Sequence, residues 1–208
     1  MEDYAELMFR GQVAEIQKAK GYHDIHKSNY QRRTQSALGP DDVAFIQSRQ
    51  SFYIASVNSD GWPYVQHRGG PAGFLKVIGP NRVACLDYVG NRQFITMGHV
   101  AEDPRVSLFL MDYMRQTRMK LQGRASLTPL DEADPSIINH FSAAGTPAER
   151  LLVVEVVAMD WNCTKYIPPF VPVEIANEAT ERYTAELQAE NAALRAKLTE
   201  LKTDGDQA

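Results

Sequence analysis

Two short clusters carry the side chains best suited to chemistry. In His67-Arg68-Gly69-Gly70 a guanidinium precedes two glycines. Glycines let a backbone pass close to a flat ligand and present bare N–H groups, and an arginine forks onto a phosphate or carbonyl oxygen. A glycine-rich bend at a barrel corner, with Arg68 in a surface ion pair, accounts for the same residues. The second cluster, Asp87-Tyr88-Val89-Gly90-Asn91-Arg92-Gln93, ends a β-rich run and enters a helical one. Asn91 suits an N-cap, and a helix N-terminus with Arg92 and Gln93 in its first turn is a ready anion site. Ordinary capping beside a solvated arginine is the plainer account.

Other reactive side chains lack partners at informative spacing. No serine, cysteine or carboxylate makes a recognisable triad with His67, which therefore reads as a ligand contact rather than a general base. His23, His26, His99 and His140 read as surface or helix-end residues, and no His-x-x-x-His pair suggests a metal. The two cysteines, Cys85 and Cys163, are far apart and fit neither a disulfide framework nor a zinc site. A reduced, cytoplasmic setting is the simplest expectation.

The 208 residues suit one domain with appendages, and a hydrophobic fraction of 44% can build a core. A net charge of −4 argues against a dedicated nucleic-acid binder, which needs a clustered basic excess. The opening residues lack a basic and apolar leader, and no apolar run is long enough to span a bilayer.

The elements that must position the clusters follow from periodicity. Residues 3–20 place Leu7, Val13, Ile16 and Ala19 at helical spacing up to Gly21, and residues 21–39 form a polar arm or loop. A short helix is expected over 42–49. Strands are expected over 51–58, 62–67, 74–78, 83–88 and 106–112, the first two joined by a hairpin turn at Asp60-Gly61. A helical insert is expected around 93–99. Residues 118–128 alternate, which puts Arg118 and Lys120 on one face and Met119 and Leu121 on the other. A helix over 131–144 and an apolar strand over 151–159 complete the series.

These short strands with hairpin signals and outlying helices predict a mainly β fold with peripheral helices (α+β): a small antiparallel β-barrel, which the family resemblance given below makes a split β-barrel, plus a C-terminal charged helix. Residues 1–39 form an N-terminal helix and arm, 40–173 the barrel domain, and 174–208 an amphipathic helix and a disordered tail. Leu187, Asn191, Leu194, Leu198 and Leu201 alternate four- and three-residue steps. The helix therefore either docks on its own barrel or forms a short coiled coil with Asn191 at an a position.

The order of Asp60-Gly-Trp-Pro-Tyr64, Leu86-Asp-Tyr-Val-Gly-Asn-Arg-Gln93 and Glu102-Asp-Pro-Arg-Val-Ser-Leu-Phe-Leu110 resembles the pyridoxamine 5'-phosphate oxidase-like, FMN-binding split-barrel family over about residues 40–165. The resemblance implies that Asp87, Asn91, Arg92 and Gln93 fall on the family's Thr, Ser, Arg and Lys positions. Asn91 and Arg92 would then hold the FMN phosphate, while Gln93 replaces a basic residue. Residues 66–71 replace the strand that touches the flavin ring. Arg118, with Lys120 beside it, stands about where the family's glutamine reaches FMN. Trp161 and Lys165 follow the last strand, a region the family uses at the mouth of the site, often from the second subunit.

By the same resemblance the protein is an FMN-dependent oxidoreductase, a homodimer with the cofactor at the interface, passing electrons through flavin N5 to a small molecule. It is not the true pyridoxamine phosphate oxidase, because that enzyme ends in a strand bearing Arg and Leu-x-Pro where this chain runs into a charged helix. The rivals are a deazaflavin- or haem-binding member of the fold, a flavin-binding sensor without turnover, and a cofactor-free interaction protein built on the C-terminal helix.

Overall fold

The computed structural model describes residues 1–141, 147–162 and 165–205. It divides into two compact units: residues 1–112 with 116–167, and residues 113–115 with 168–208.

The first unit is built on seven strands: β1 (Ser51–Val57), β2 (Pro63–Gly69), β3 (Leu75–Gly79), β4 (Arg82–Tyr88), β5 (Arg105–Asp112), β6 (Thr117–Pro129) and β7 (Ala148–Asn162). They form one sheet in the order β2-β1-β5-β6-β7-β4-β3, with every pairing antiparallel. Alternation puts Phe52 and Ile54, Val106, Leu108 and Leu110, and Met119 and Leu121 on the inner face, all buried. Arg118 and Lys120 share the opposite face, as their spacing requires.

The sheet curls without closing. Arg68 of edge strand β2 forms an ion pair with Asp87 of β4, although four strands separate β2 from β4 in sheet order. No backbone pairing joins β2 to β3, so the barrel is split along that line. Local sequence explains the bends. Gly61 takes φ 86° in the β1–β2 turn, and the Asn58 carboxamide oxygen accepts from the N–H groups of Asp60 and Trp62. At the bulge in β6, a Cβ on Gly123 would lie 2.6 Å from the carbonyl oxygen of Glu155, so only glycine fits the close crossing onto β7.

Helices lie around the sheet. α1 (Tyr4–Met8) and α2 (Gln12–Ala19) break the expected N-terminal helix at Gly11, which takes φ 56°. The segment expected as a polar arm or loop contains a nine-residue helix, α3 (His23–Gln31). Its Tyr30 stacks on Tyr4 at 5.7 Å between ring centroids, an aromatic contact that helical periodicity does not report. α4 (Pro40–Gln47) begins at proline, and the buried Asp42 carboxylate does two jobs. One oxygen accepts from the Gly39 N–H at 2.8 Å and the other from the Trp161 indole at 2.7 Å.

α5 (Ile95–Glu102) starts later than expected. α6 is a single turn, Pro135–Ile138, begun by the Asp134 side chain. The longer helix expected over 131–144 does not form across its described part, and 142–144 lie outside the described residues. Ile137, Ile138 and Phe141 still pack on a small cluster around Leu151 and Ala84. Between α5 and β5, Asp103 accepts from both the backbone and the guanidinium of Arg105, whose bonds hold the Asp103 carboxyl at about 2.

The second unit contains α7 (Val173–Gly205), a 33-residue helix whose described side chains are all exposed. Residues 203–205, expected in a disordered tail, continue this helix, and 206–208 lie outside the described residues.

Candidate functional site

The split creates the site. β3 pairs with β4 only from Gly79↔Arg82 to Leu75↔Cys85, so the last residues of β4, Leu86 to Tyr88, outrun it. Beyond that point β4 is paired on one side alone, with β7. The gap is a cleft of about 200 Å³, lined by β2 (Tyr64, Gln66, Arg68), the end of β4, the 90–94 loop, the first turn of α5, and Glu149 and Arg150 of β7.

At its floor one carboxylate holds two arginines. Asp87 Oδ1 accepts from Arg68 Nη1, and Asp87 Oδ2 accepts from Arg150 Nε at 2.8 Å. Arg150 also pairs with Glu149 at 2.9 Å. The Arg68, Asp87 and Arg150 side chains are only 12%, 12% and 18% exposed, so solvent screens the contacts weakly. Gln66 Oε1 accepts from the Thr96 hydroxyl at 2.7 Å, which ties β2 to α5.

The wall opposite is rich in unclaimed donors. α5 has no side-chain cap and no acidic residue in its first turn, and Ile95, Thr96 and Met97 line the cleft. The first N–H groups of a helix have no intrahelical partner and carry the positive end of its dipole. Arg68 Nε is likewise buried with no hydrogen-bond partner among the described residues. Arg92 and Phe94 take φ 59° and 54°, left-handed conformations that cost an L-residue on the order of 1 kcal/mol or more. Strain of that size persists where the surroundings over-determine the loop, and Val89 N–H bonding to the Pro147 carbonyl anchors its start.

The structure gathers Arg68, Asp87, Tyr88, Asn91, Arg92 and Gln93 around the cleft. Asn91 does not cap the helix as expected. Phe94 occupies the N-cap position, and the Asn91 side chain accepts from the Gln93 N–H at 3.2 Å inside the loop. His67 alternates away from Arg68 and meets Tyr53 edge-on at 5.5 Å on the outer face. Gly69 and Gly70 lie beyond the cleft. A Cβ on Gly70 would sit 2.7 Å from Phe74, so that glycine admits the Phe74 ring, which stacks on Phe52.

Four further candidates lie away from the cleft in their own chain. Lys120 Nζ is 3.5 Å from the buried Asp160, in a cluster where burial and Asp160 push the Tyr30 phenol up. Trp161 packs edge-on against Phe45 at 4.6 Å. Arg118 Nε is buried without a hydrogen-bond partner among the described residues, and Lys165 is exposed. Cys85 is buried, and burial pushes its thiol up to about 12. Cys163 lies outside the described residues.

Sequence reading missed Arg150, Gln66 and Thr96. Arg150 opposes Asp87 through the β4–β7 register, a pairing between segments 63 positions apart that no local pattern discloses. Among the described residues no group of three or more His, Cys, Asp or Glu is placed to hold a metal, and no helix is long and apolar enough to cross a membrane.

Such a site, with buried guanidinium groups and an uncapped helix end in the gap of a split antiparallel barrel, suits an anion carried on a larger body. The family model for pyridoxamine 5'-phosphate oxidase matches residues 38–162, and the chain belongs to that oxidase-like family. No curated protein matches the chain. Among solved structures, a putative pyridoxamine 5'-phosphate oxidase from Lactobacillus delbrueckii is 16% identical, with TM-score 0.48, covering 61% of this chain and 96% of its own. A variant of HupZ from Group A Streptococcus is 9% identical, with TM-score 0.47, covering 60% and 99%. An FMN-binding protein from Syntrophomonas wolfei is 12% identical, with TM-score 0.41, covering 74% and 98%.

Proposed function

We propose that the protein is a cytoplasmic FMN-binding flavoprotein whose cleft holds the cofactor phosphate, and that it serves as an oxidoreductase for a small molecule. The observation that carries this reading is the uncapped N-terminus of α5, which shares one cleft with Arg68 and Arg150. A phosphate there accepts from helix N–H groups while the guanidinium charges compensate its own. Arg68 Nε supplies a further donor, already desolvated.

When bound, FMN supplies two-electron chemistry at its ring. The chain's own residues bind and orient it: Asp87 fixes both guanidinium groups, and Gln66 and Thr96 hold β2 against α5. A cleft of about 200 Å³ is smaller than the roughly 300–1,000 Å³ that encloses a cofactor-sized ligand. We therefore assign the rest of the site to a second copy of the chain in a homodimer. Arg118, whose buried Nε has no hydrogen-bond partner among the described residues, is the remaining candidate we assign to the ring from that copy. Lys120 and Trp161 are engaged by Asp160 and Asp42 within their own chain.

Titration with FMN, followed by flavin fluorescence quenching, tests the proposal. Saturable binding at one FMN per chain, weakened by Arg68→Ala, is expected. Saturable binding of haem or a deazaflavin with no response to FMN overturns it. Pyridoxamine phosphate is expected to give no turnover, because the described chain leaves β7 for α7 rather than for the strand on which the true oxidase carries its substrate-binding arginine.

A further inference from the structure

We propose that α7 pairs with α7 of a second copy of this chain as a parallel, in-register, two-stranded coiled coil over residues 184–198. Helices in proteins owe most of their stability to packing an apolar face, and α7 buries none of its described side chains within its own chain. Leu187, Leu194 and Leu198 are 46%, 53% and 57% exposed, a cost in water that a partner removes.

The heptad identifies the partner. With Leu187 and Leu194 at d, the a positions fall on Thr184, Asn191 and Leu198. The f positions, on the far side, are Ala189 and Ala196. In a parallel pair Asn191 meets Asn191 and the two carboxamides satisfy one another. In an antiparallel pair, or against an unrelated apolar groove, Asn191 faces hydrocarbon and loses its hydrogen bonds. The flanking charges agree over the same stretch: Glu190 at g faces Arg195 at e of the other helix, twice by symmetry.

The inference does not rest on the flavin reading. Its test uses the full chain with Cys163→Ser, cysteines placed singly at Leu187→Cys, Leu194→Cys, Ala189→Cys and Ala196→Cys, and mild oxidation. A disulfide needs Cα atoms within about 7 Å, which in-register d layers supply and f positions do not. Both d variants are expected to give covalent dimer as the main product, and both f variants to remain single chains on a non-reducing gel. An antiparallel pair brings at most one residue opposite itself, so cross-linking at only one d position overturns the parallel register. Equal cross-linking at d and f, or none at d, overturns the pairing itself. Flavin absorbance of the same samples separates the two proposals: a colourless chain that cross-links at both d positions refutes FMN binding and supports the zipper.

Discussion

Replacing Asp87 by asparagine keeps the shape of the cleft floor and removes its one shared negative charge. Arg68 then loses its buried counter-charge and Arg150 keeps only Glu149, in a site where the Arg68, Asp87 and Arg150 side chains are each less than one-fifth exposed. Removing one partner of a buried pair costs about 3–5 kcal/mol. Set against a total stability of roughly 5–15 kcal/mol, that is a large fraction. For a chain of this length each kcal/mol moves Tm by roughly 2–4 °C, so Asp87→Asn is expected to melt about 6–20 °C lower. The variant also gains an appetite for anions. Inorganic phosphate at about a hundred times its Kd adds roughly 2.7 kcal/mol, and it is expected to raise the Tm of Asp87→Asn more than that of the parent. Thermal unfolding followed by near-ultraviolet circular dichroism, with and without phosphate, reads both effects. A loss below about 1 kcal/mol, the range of exposed ion pairs, refutes the buried-clamp reasoning. Equal stabilisation of both proteins by phosphate refutes the claim that anions reach the guanidinium groups.

Arg150→Gln is expected to weaken FMN binding about tenfold or more, since a bond to a charged group contributes roughly 1.5–3 kcal/mol; an unchanged Kd would make Arg150 purely structural. Gly123→Ala should cost about 1–3 kcal/mol in urea unfolding, because the new Cβ meets the Glu155 carbonyl at 2.6 Å, and an unaltered midpoint would contradict the crossing geometry. The Cys85 thiol, raised from 9.0 to about 12, binds its proton more tightly in the folded state. Its contribution to stability is whole below about pH 9 and is lost as the pH rises toward 12, so Cys85→Ala should flatten that part of the alkaline limb. Tyr30 acts in the same sense, and Tyr30→Phe measured alongside separates the two.

The barrel was legible because its strands announce themselves locally. Alternation over 118–128 fixed which residues of β6 face inward, and Asp60-Gly61 marked the β1–β2 hairpin. The helices were less legible where aromatic packing or strain overrides periodicity. Tyr30 stacking on Tyr4 makes α3 from a polar stretch, and two left-handed residues, Arg92 and Phe94, delay α5 past the asparagine that should have capped it. One half of the candidate site was visible as the cluster from Asp87 to Gln93. The other half depended on long-range register. Arg150 reaches Asp87 only because β7 runs beside β4, and His67 turns outward because it is out of phase with Arg68.

The split in the barrel has a mechanical side. Elsewhere in the sheet, neighbouring strands are joined by backbone hydrogen bonds, which a change of side chain leaves in place. Across the gap, edge strand β2 is fastened to the opposite side by Arg68 on Asp87 and Gln66 on Thr96. The stitching along this line is therefore the part of the barrel that sequence can loosen or tighten without touching the sheet. An anion seated among the same groups works as a clasp, so occupancy and the opening of the barrel become one equilibrium. Amide exchange along β2 should then slow on binding more than exchange anywhere in the well-paired β5–β6 ribbon.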